Sequence, residues 1–462
     1  MKVNKSRIAM ILTFCSILLF VSACSGSGSN NAKKSEGSKD ATKEVTISFR
    51  STGSDDALNT YFKSGLVEQF ESENPGIKIK LAPILASEGD YFSKVVLQMK
   101  SEDTAPDIVA EDTSIIKSDA QAGYLEKLDS KVNAWSDWNN ITESLKEGVK
   151  GEDGSFYGIP ATTDTRGLWY NKDLFKKAGL PVPWEPKNWE DVLNAARTIK
   201  SKLPDVTPMH MTVGKASGEG VTMQTLEMLL YGTQDQLYDF DTKKWIVNSP
   251  GLLDSFKFIN QVFNVDKTGP SLQIALSGQA GSMAFEQLLP KDKMAIGLDG
   301  SWAGSAWFPT GPSPIENVTD KMGFVAMPTQ NGQDPGATTM SGGWAWSIPA
   351  KAKDKDDAWK FLQFIMNKEN ATKRVIAEGA LSPRTDSIDV SGYLDRPFVK
   401  EAQSFVQYAH FRPTNDKYAS VSTQLQGIVE SIASGKLTPE DAVKQFKDSV
   451  SRVVGADQVE EK

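Results

Sequence analysis

Between Val45 and Ala110 the apolar residues change period in a fixed order, and that order constrains the fold more than any other feature of the chain. Val45-Thr-Ile-Ser-Phe49 alternates apolar and polar, as a half-buried strand does. Leu58, Phe62, Leu66 and Phe70 then recur every four residues, which lines one face of a helix. Asn74-Pro75-Gly76 stops that helix and turns the chain. Ile77-Lys-Ile-Lys-Leu81 alternates again, a helical stretch with Tyr91, Val95 and Met99 follows, and Pro106-Asp-Ile-Val-Ala110 reads as the next strand. Strand, helix, strand, helix, strand is the rhythm of a parallel sheet covered by helices.

A second lobe is expected after Gly158-Ile-Pro160, since 462 residues exceed what one core usually serves. Tyr170-Asn-Lys-Asp-Leu-Phe opens a helix that ends near Ala178-Gly179-Leu-Pro181, and Trp189, Val192, Leu193, Ala196 and Ile199 form another helical stripe. Lys293 to Leu298, Gly323 to Pro328 and Gly343 to Ile348 read as short strands, and Ala358 to Asn367 as a helix. Thr438-Pro439-Glu-Asp441 is a helix start: a capping hydroxyl, a proline at the first position and acids at the positive end of the dipole. Residues 201–290 carry no motif.

The N-terminus reads as a targeting segment. Lys2, Lys5 and Arg7 precede an apolar run from Ile8 to Val21, which is too short for a confident membrane span. Val21-Ser22-Ala23-Cys24 ends it, and Ser25 to Thr42 holds no large apolar residue, as suits a flexible tether. Cleavage before Cys24 would remove Cys15, leaving one cysteine and no possible internal disulfide. The net charge of −8, without a basic stripe, argues against nucleic acid as a partner. The two histidines, His210 and His410, lie far apart, so a histidine-based metal or acid–base site is not expected. No Gly-x-Ser-x-Gly, His-Glu-x-x-His or phosphate-cradling Gly-rich loop occurs. No cofactor is expected. Two readings stay open at this point: a secreted enzyme acting on polysaccharide, and a binding protein for an amino acid, peptide or metal.

Several segments carry a family resemblance. Cys24 after Val-Ser-Ala resembles the lipobox of bacterial lipoproteins, which implies acylation of its thiol with diacylglycerol and an anchored mature N-terminus. Phe70-Glu-Ser-Glu-Asn-Pro-Gly-Ile77, Ala105-Pro-Asp-Ile-Val-Ala110, Gln121-Ala-Gly-Tyr-Leu125, Tyr157-Gly-Ile-Pro160, Tyr170-Asn-Lys-Asp-Leu-Phe175 with Ala178-Gly-Leu-Pro181, and Lys293-Met-Ala-Ile-Gly follow in order. In that order and spacing they resemble the extracellular solute-binding proteins of bacterial ABC importers, within the sugar-binding branch that includes maltose-binding protein. The resemblance implies an α/β chain with a two-lobed, periplasmic-binding-protein type II-like fold, a ligand cleft between lobes, and crossovers near 160–164, 326–328 and 348–351. The implied organisation is a signal peptide over 1–23 and a tether over 24–43. A first lobe would take 44–162 with 327–350, and a second 163–326 with 351–462. The implied partners are a carbohydrate, most naturally an oligosaccharide, and a membrane permease driven by an ATPase. The protein would be a monomer that performs no catalysis, held by lipid at the extracytoplasmic face of the cell membrane.

Open α/β sheets bind ligands at the carboxyl ends of their strands, which directs attention to the residues after each one. Ser51 begins the polar loop after the first strand. Glu111 and Asp112 follow the strand ending at Ala110, where carboxylates suit paired sugar hydroxyls. Asp164 and Arg166 sit at the implied entry to the second lobe, the arginine offering a fork of donors. Asp299 and Trp302 follow the strand near Leu298; the resemblance implies that this Trp stacks on a sugar ring, whose C–H patch suits an aromatic face. Gly342 and Gly343 would let backbone approach ligand, and Trp344 is a second stacking candidate. Arg384 and Phe411-Arg412 are further candidates for the cleft wall.

Overall fold

The computed structural model describes residues 42–462 except 52, 54, 55, 87, 310, 414 and 416. The signal segment, Cys24 and the tether up to residue 41 lie outside the described residues, as do Thr52, Ser54 and Asp55 of the loop after Ser51. In chain order the strands are β1 (Lys43–Ser51), β2 (Ile77–Leu85), β3 (Ile108–Asp112), β4 (Ile159–Pro160) and β5 (Arg166–Asn171). Next come β6 (Thr207–His210), β7 (Tyr238–Asp239), β8 (Lys244–Asn248), β9 (Met294–Gly300) and β10 (Met322–Val325). The last are β11 (Met327–Pro328), β12 (Ala337–Met340), β13 (Trp344–Ser347), β14 (Ala409–His410) and β15 (Val459–Glu461).

The opening βαβαβ pattern builds the first sheet, in the order β2-β1-β3-β13-β4. β1 runs parallel to β2 over its whole length, from Lys43 beside Ile77 to Ser51 beside Leu85, and parallel to β3 on its other side. The sheet is not parallel throughout: β13 pairs antiparallel with both β3 and β4, because it re-enters from the other lobe. Leu58, Phe62, Leu66 and Phe70 are all buried, as their spacing predicts. Their helix is broken at Ser64 and Gly65, where Gly65 adopts φ +104°, a conformation that suits glycine.

The second lobe carries the sheet β10-β5-β9-β6, with smaller sheets β11-β12-β14 and β15-β8-β7. Asn171 caps the helix Lys172–Ala178 through the Asp173 and Leu174 amides, and Gly179 ends it in the left-handed region at φ 77°. Thr438 caps the helix Pro439–Val454 through the Asp441 amide, with Pro439 in its first turn.

Two boundaries differ from expectation. Phe361, Leu362 and Ile365 of the helix Lys355–Ile365 pack in the core of the first sheet, where Phe361 meets Phe70 at 4.9 Å between ring centroids. Residues 352–371 therefore belong with the first lobe, whereas the resemblance implies a second lobe running through 351–462. Conversely, Met327 and Met340 are buried in the second lobe's core, so the first-lobe segment expected over 327–350 contributes to that lobe only from β13 onward. The Gly323–Pro328 strand is two strands in different sheets, β10 and β11. The chain thus crosses between lobes at 161–165, at 341–343, and through the helix Lys368–Glu378, whose Ala371 lies in one core and Val375 in another. Backbone bonds tie the crossings together: the Thr163 amide to the Leu381 carbonyl at 3.0 Å, and the Thr162 amide to the Trp344 carbonyl at 3.1 Å.

Candidate functional site

The crossings form the floor of a cavity of about 620 Å³ between the lobes. Eight of the candidate residues line it: Asp112, Asp164, Arg166, Trp302, Gly342, Gly343, Trp344 and Arg412. A second cavity of about 520 Å³ continues from it along the second lobe, shares the wall at Trp302 and Gln224, and is lined by Asp299.

Trp302 follows β9 in a short helical turn, Ser301–Trp307, and is 38% exposed, unusual for so large an apolar side chain. The Arg166 guanidinium lies over its ring at 4.8 Å from the centroid. Gly300 packs close against the ring; a Cβ there would fall 2.1 Å from an indole carbon. Arg166 is itself anchored, donating to the Met340 carbonyl at 3.1 Å and pairing with Asp164. The Asp164 carboxylate also accepts from the Gly342 amide at 2.9 Å. Gly343 stands at φ +139°, where a Cβ would meet the Thr162 carbonyl oxygen at 2.2 Å, so only glycine fits this crossing. Trp344 meets Tyr91 edge-on at 5.7 Å.

Arg412 joins the two walls. It donates to Asp112 of the first lobe at 2.8 Å and lies 3.7 Å from Glu219 of the second. Burial alone would lower the Arg412 guanidinium, but Asp112, Tyr418, Glu219 and Glu227 together hold it above its ordinary range. Behind it Tyr418 lies within 3.1 Å of both Glu219 and Glu227. Burial, aided by Glu219, pushes the Glu227 carboxyl up to about 8. The single hydroxyl proton of Tyr418 is shared between these two carboxyls, donated to Glu219 or to Glu227. Burial likewise raises Asp299 to about 6, although its Oδ1 accepts from the Gly300 amide at 2.7 Å.

Three candidates do not reach the cleft. The Ser51 hydroxyl is buried and turned back onto the Gly53 carbonyl at 2.9 Å; its neighbour Arg50 lines the cavity instead. Glu111 alternates with Asp112 along β3, so its side chain faces the other side of the sheet, fully buried with both carboxylate oxygens unpartnered. Burial, with Asp119 and Asp112 nearby, holds its carboxyl well above the usual range. Arg384 is 1% exposed and spends its donors on Asp386, Asp137 and the Met366 carbonyl, which makes it a tie between segments.

Conversely, the cavity wall formed by Ser217, Glu219, Gly220 and Gln224 comes from the stretch in which no motif was found. Its one signal is the run Ser217-Gly-Glu-Gly220: Gly218, at φ 55°, turns the chain and the helix starting at Glu219 presents its first turn to the cleft.

Two α/β lobes, three crossings and a cavity between them define a two-lobed binding protein. The chain belongs to the bacterial extracellular solute-binding protein family, whose pattern it matches over residues 54–372. Among its relatives is a putative binding protein of Brucella abortus, 24% identical over 403 residues, covering 83% of this chain and 87% of that one. The maltooligosaccharide ABC transporter solute-binding lipoprotein of Streptococcus pneumoniae is 23% identical over 471 residues, 96% of each chain. Among solved structures, an ABC transporter solute-binding protein of Thermotoga lettingae bound with α-D-tagatose superposes with a TM-score of 0.72 at 25% identity, covering 89% of this chain and 100% of that one.

Proposed function

We propose that this protein is the extracytoplasmic receptor of an ABC importer that captures a carbohydrate, most naturally an oligosaccharide, between its lobes and releases it unchanged to a membrane permease. The observation that carries this reading is Trp302: a partly exposed indole in the wall shared by both cavities, packed against Arg166 and Gly300, with the Asp164 and Asp299 carboxylates in the lining of those cavities. A sugar needs that pairing, because its ring offers a C–H face for stacking and an equatorial rim of hydroxyls for carboxylates. The names of the streptococcal and Thermotoga relatives point to the same ligand class.

Capture follows from the geometry. Asp112 and Trp344 stand on the first lobe, Asp299 and Trp302 on the second, and a ligand touching both sets stabilises the closed arrangement in which both are within reach. No bond is broken, so the ligand leaves as it entered. Acylation of Cys24 would hold the receptor beside its permease, with more than one acyl chain on a single residue giving firm anchoring. Melting the full-length chain against mono- and oligosaccharides, amino acids and peptides tests the reading. A ligand at a hundred times its Kd adds about 2.7 kcal/mol to native stability, so a sugar-selective upward shift is expected. A shift with amino acids or peptides alone, or turnover of the glycan, would refute it.

A further inference from the structure

A smaller cavity, about 230 Å³, opens off the first-lobe wall of the cleft, with which it shares Arg50 and Trp344. Its apolar lining comes from Phe49 in β1, Leu58 in the helix Ala57–Tyr61, Ala110 in β3, and Ala380 after the helix Lys368–Glu378. For scale, an apolar cavity of about 150 Å³ holds benzene. Arg374 and Glu378 stand in this lining and are its unusual feature. The Arg374 guanidinium is stacked on Trp346, 4.8 Å from the ring centroid, and is only 3% exposed. Its Nε lies 3.0 Å from Glu378 Oε2 without hydrogen-bond alignment. Arg374 Nε and Nη1 and Glu378 Oε2 are buried and make no hydrogen bond at all. The two side chains are thus ion-paired but poorly aligned, and Arg374 Nη1 is left as a buried donor without a partner, a state that protein interiors rarely tolerate.

We propose that this side pocket takes the acetamido group of an N-acetylated amino sugar, an inference that rests on the carbohydrate reading of the main cleft. The pocket asks for a group of three properties. It must offer an acceptor to a guanidinium, a donor to a carboxyl group, and an apolar end to the walls. An acetamido group has all three: its carbonyl accepts from Arg374, its N–H donates to Glu378, and its methyl packs against Leu58, Ala110 and Ala380. The polar atoms are closed off from water, so a guest reaches them by displacing the Arg374–Glu378 contact, which a group serving both partners permits. A ligand carboxylate would meet Arg374 and Arg50 but would also face Glu378 and Asp56 with like charge, and it would offer Glu378 no donor. A plain hydroxyl would leave the apolar walls uncovered, and an alkyl group would leave the polar atoms unpaired.

Calorimetric titration of the full-length chain with ligands differing at one ring substituent tests this. The set is a hexose oligosaccharide, its 2-amino and 2-acetamido counterparts, and a uronate of the same length. The acetamido ligand is expected to bind about tenfold more tightly or better than the hydroxyl and amine forms, the discrimination a pocket built for one polar group supplies. Ala380→Leu, which fills the pocket from one wall, is expected to bring the ratio of those affinities close to one. Equal binding of hydroxyl and acetamido ligands, or tightest binding of the uronate, overturns the pocket assignment while leaving the carbohydrate reading intact. Binding by no sugar at all overturns both.

Discussion

Trp302→Ala tests the cleft at its most exposed aromatic face. A Trp side chain presents up to about 250 Å², so the 38% left exposed amounts to about 90 Å² available for a ligand to cover. At 25 cal/mol per Å², covering that face contributes about 2 kcal/mol, or about thirtyfold in Kd. The cost to the unliganded fold is smaller. The indole leaves the Arg166 guanidinium without its stacking partner, worth about 0.5–1 kcal/mol at a half-exposed site. In a chain of this size that shifts the melting temperature by about 2 °C or less. Titration calorimetry with the best ligand from the sugar panel, paired with unliganded melting, separates the two effects. A thirtyfold weakening with a nearly unchanged melting temperature is expected. Unchanged affinity, or a drop of many degrees without ligand, would show that the ring serves the fold and would refute its role as a stacking platform.

Arg384→Ala should do the opposite, removing about 3–5 kcal/mol of stability by stranding Asp137 and Asp386, while the folded fraction keeps its ligand affinity; equilibrium denaturation against calorimetry checks both. Glu227 gives a pH signature. Its folded value of about 8 lies above the ordinary 4.5, so the folded state holds the proton more tightly and stability falls as pH rises between those values. The slope from this group approaches about 1.4 kcal/mol per pH unit, and Glu227→Gln should remove that component when stability is measured from pH 5 to 8. Cys24→Ala should abolish incorporation of labelled fatty acid and leave sugar affinity unchanged; continued labelling would refute the lipobox.

The fold was legible where burial imposes a period. The βαβαβ opening and the capped helices Lys172–Ala178 and Pro439–Val454 were visible because alternation, stripes and caps are local. The lobe boundaries were less so, because membership is decided by distant partners: nothing near Phe361 announces that it packs on Phe70. The same limit divides the site candidates. Glu111 and Asp112 are adjacent and chemically alike, yet strand alternation sends one to the core and one to the cleft, and the choice depends on which sheet face the helices cover. Arg384 is a candidate for the cleft wall on sequence alone, but Asp137, which consumes one of its donors, lies 247 positions away. Glu219 and Gln224 were invisible for the converse reason, since a short Gly-containing turn acquires meaning only once the crossings bring it opposite Asp112.

Arg412 shows how the two lobes become one binding surface. A single guanidinium placed between Asp112 and Glu219 links carboxylates carried on different lobes. Asp112 is also held by the Ser114 amide at 2.8 Å, and Asp164 by the Gly342 amide at 2.9 Å. The cleft carboxylates are therefore oriented before any ligand arrives, and a hydroxyl-bearing guest meets fixed acceptors rather than mobile ones. Preorganisation of this kind lowers the ordering cost of binding. The adjacent Trp302 is fixed by the same logic, through Arg166 and Gly300. Specificity then depends on what the fixed groups leave unsatisfied, and on the first-lobe side that is the Arg374–Glu378 pair: a receptor with this cleft selects its ligand less by the ring it stacks than by the substituent it carries into the side pocket.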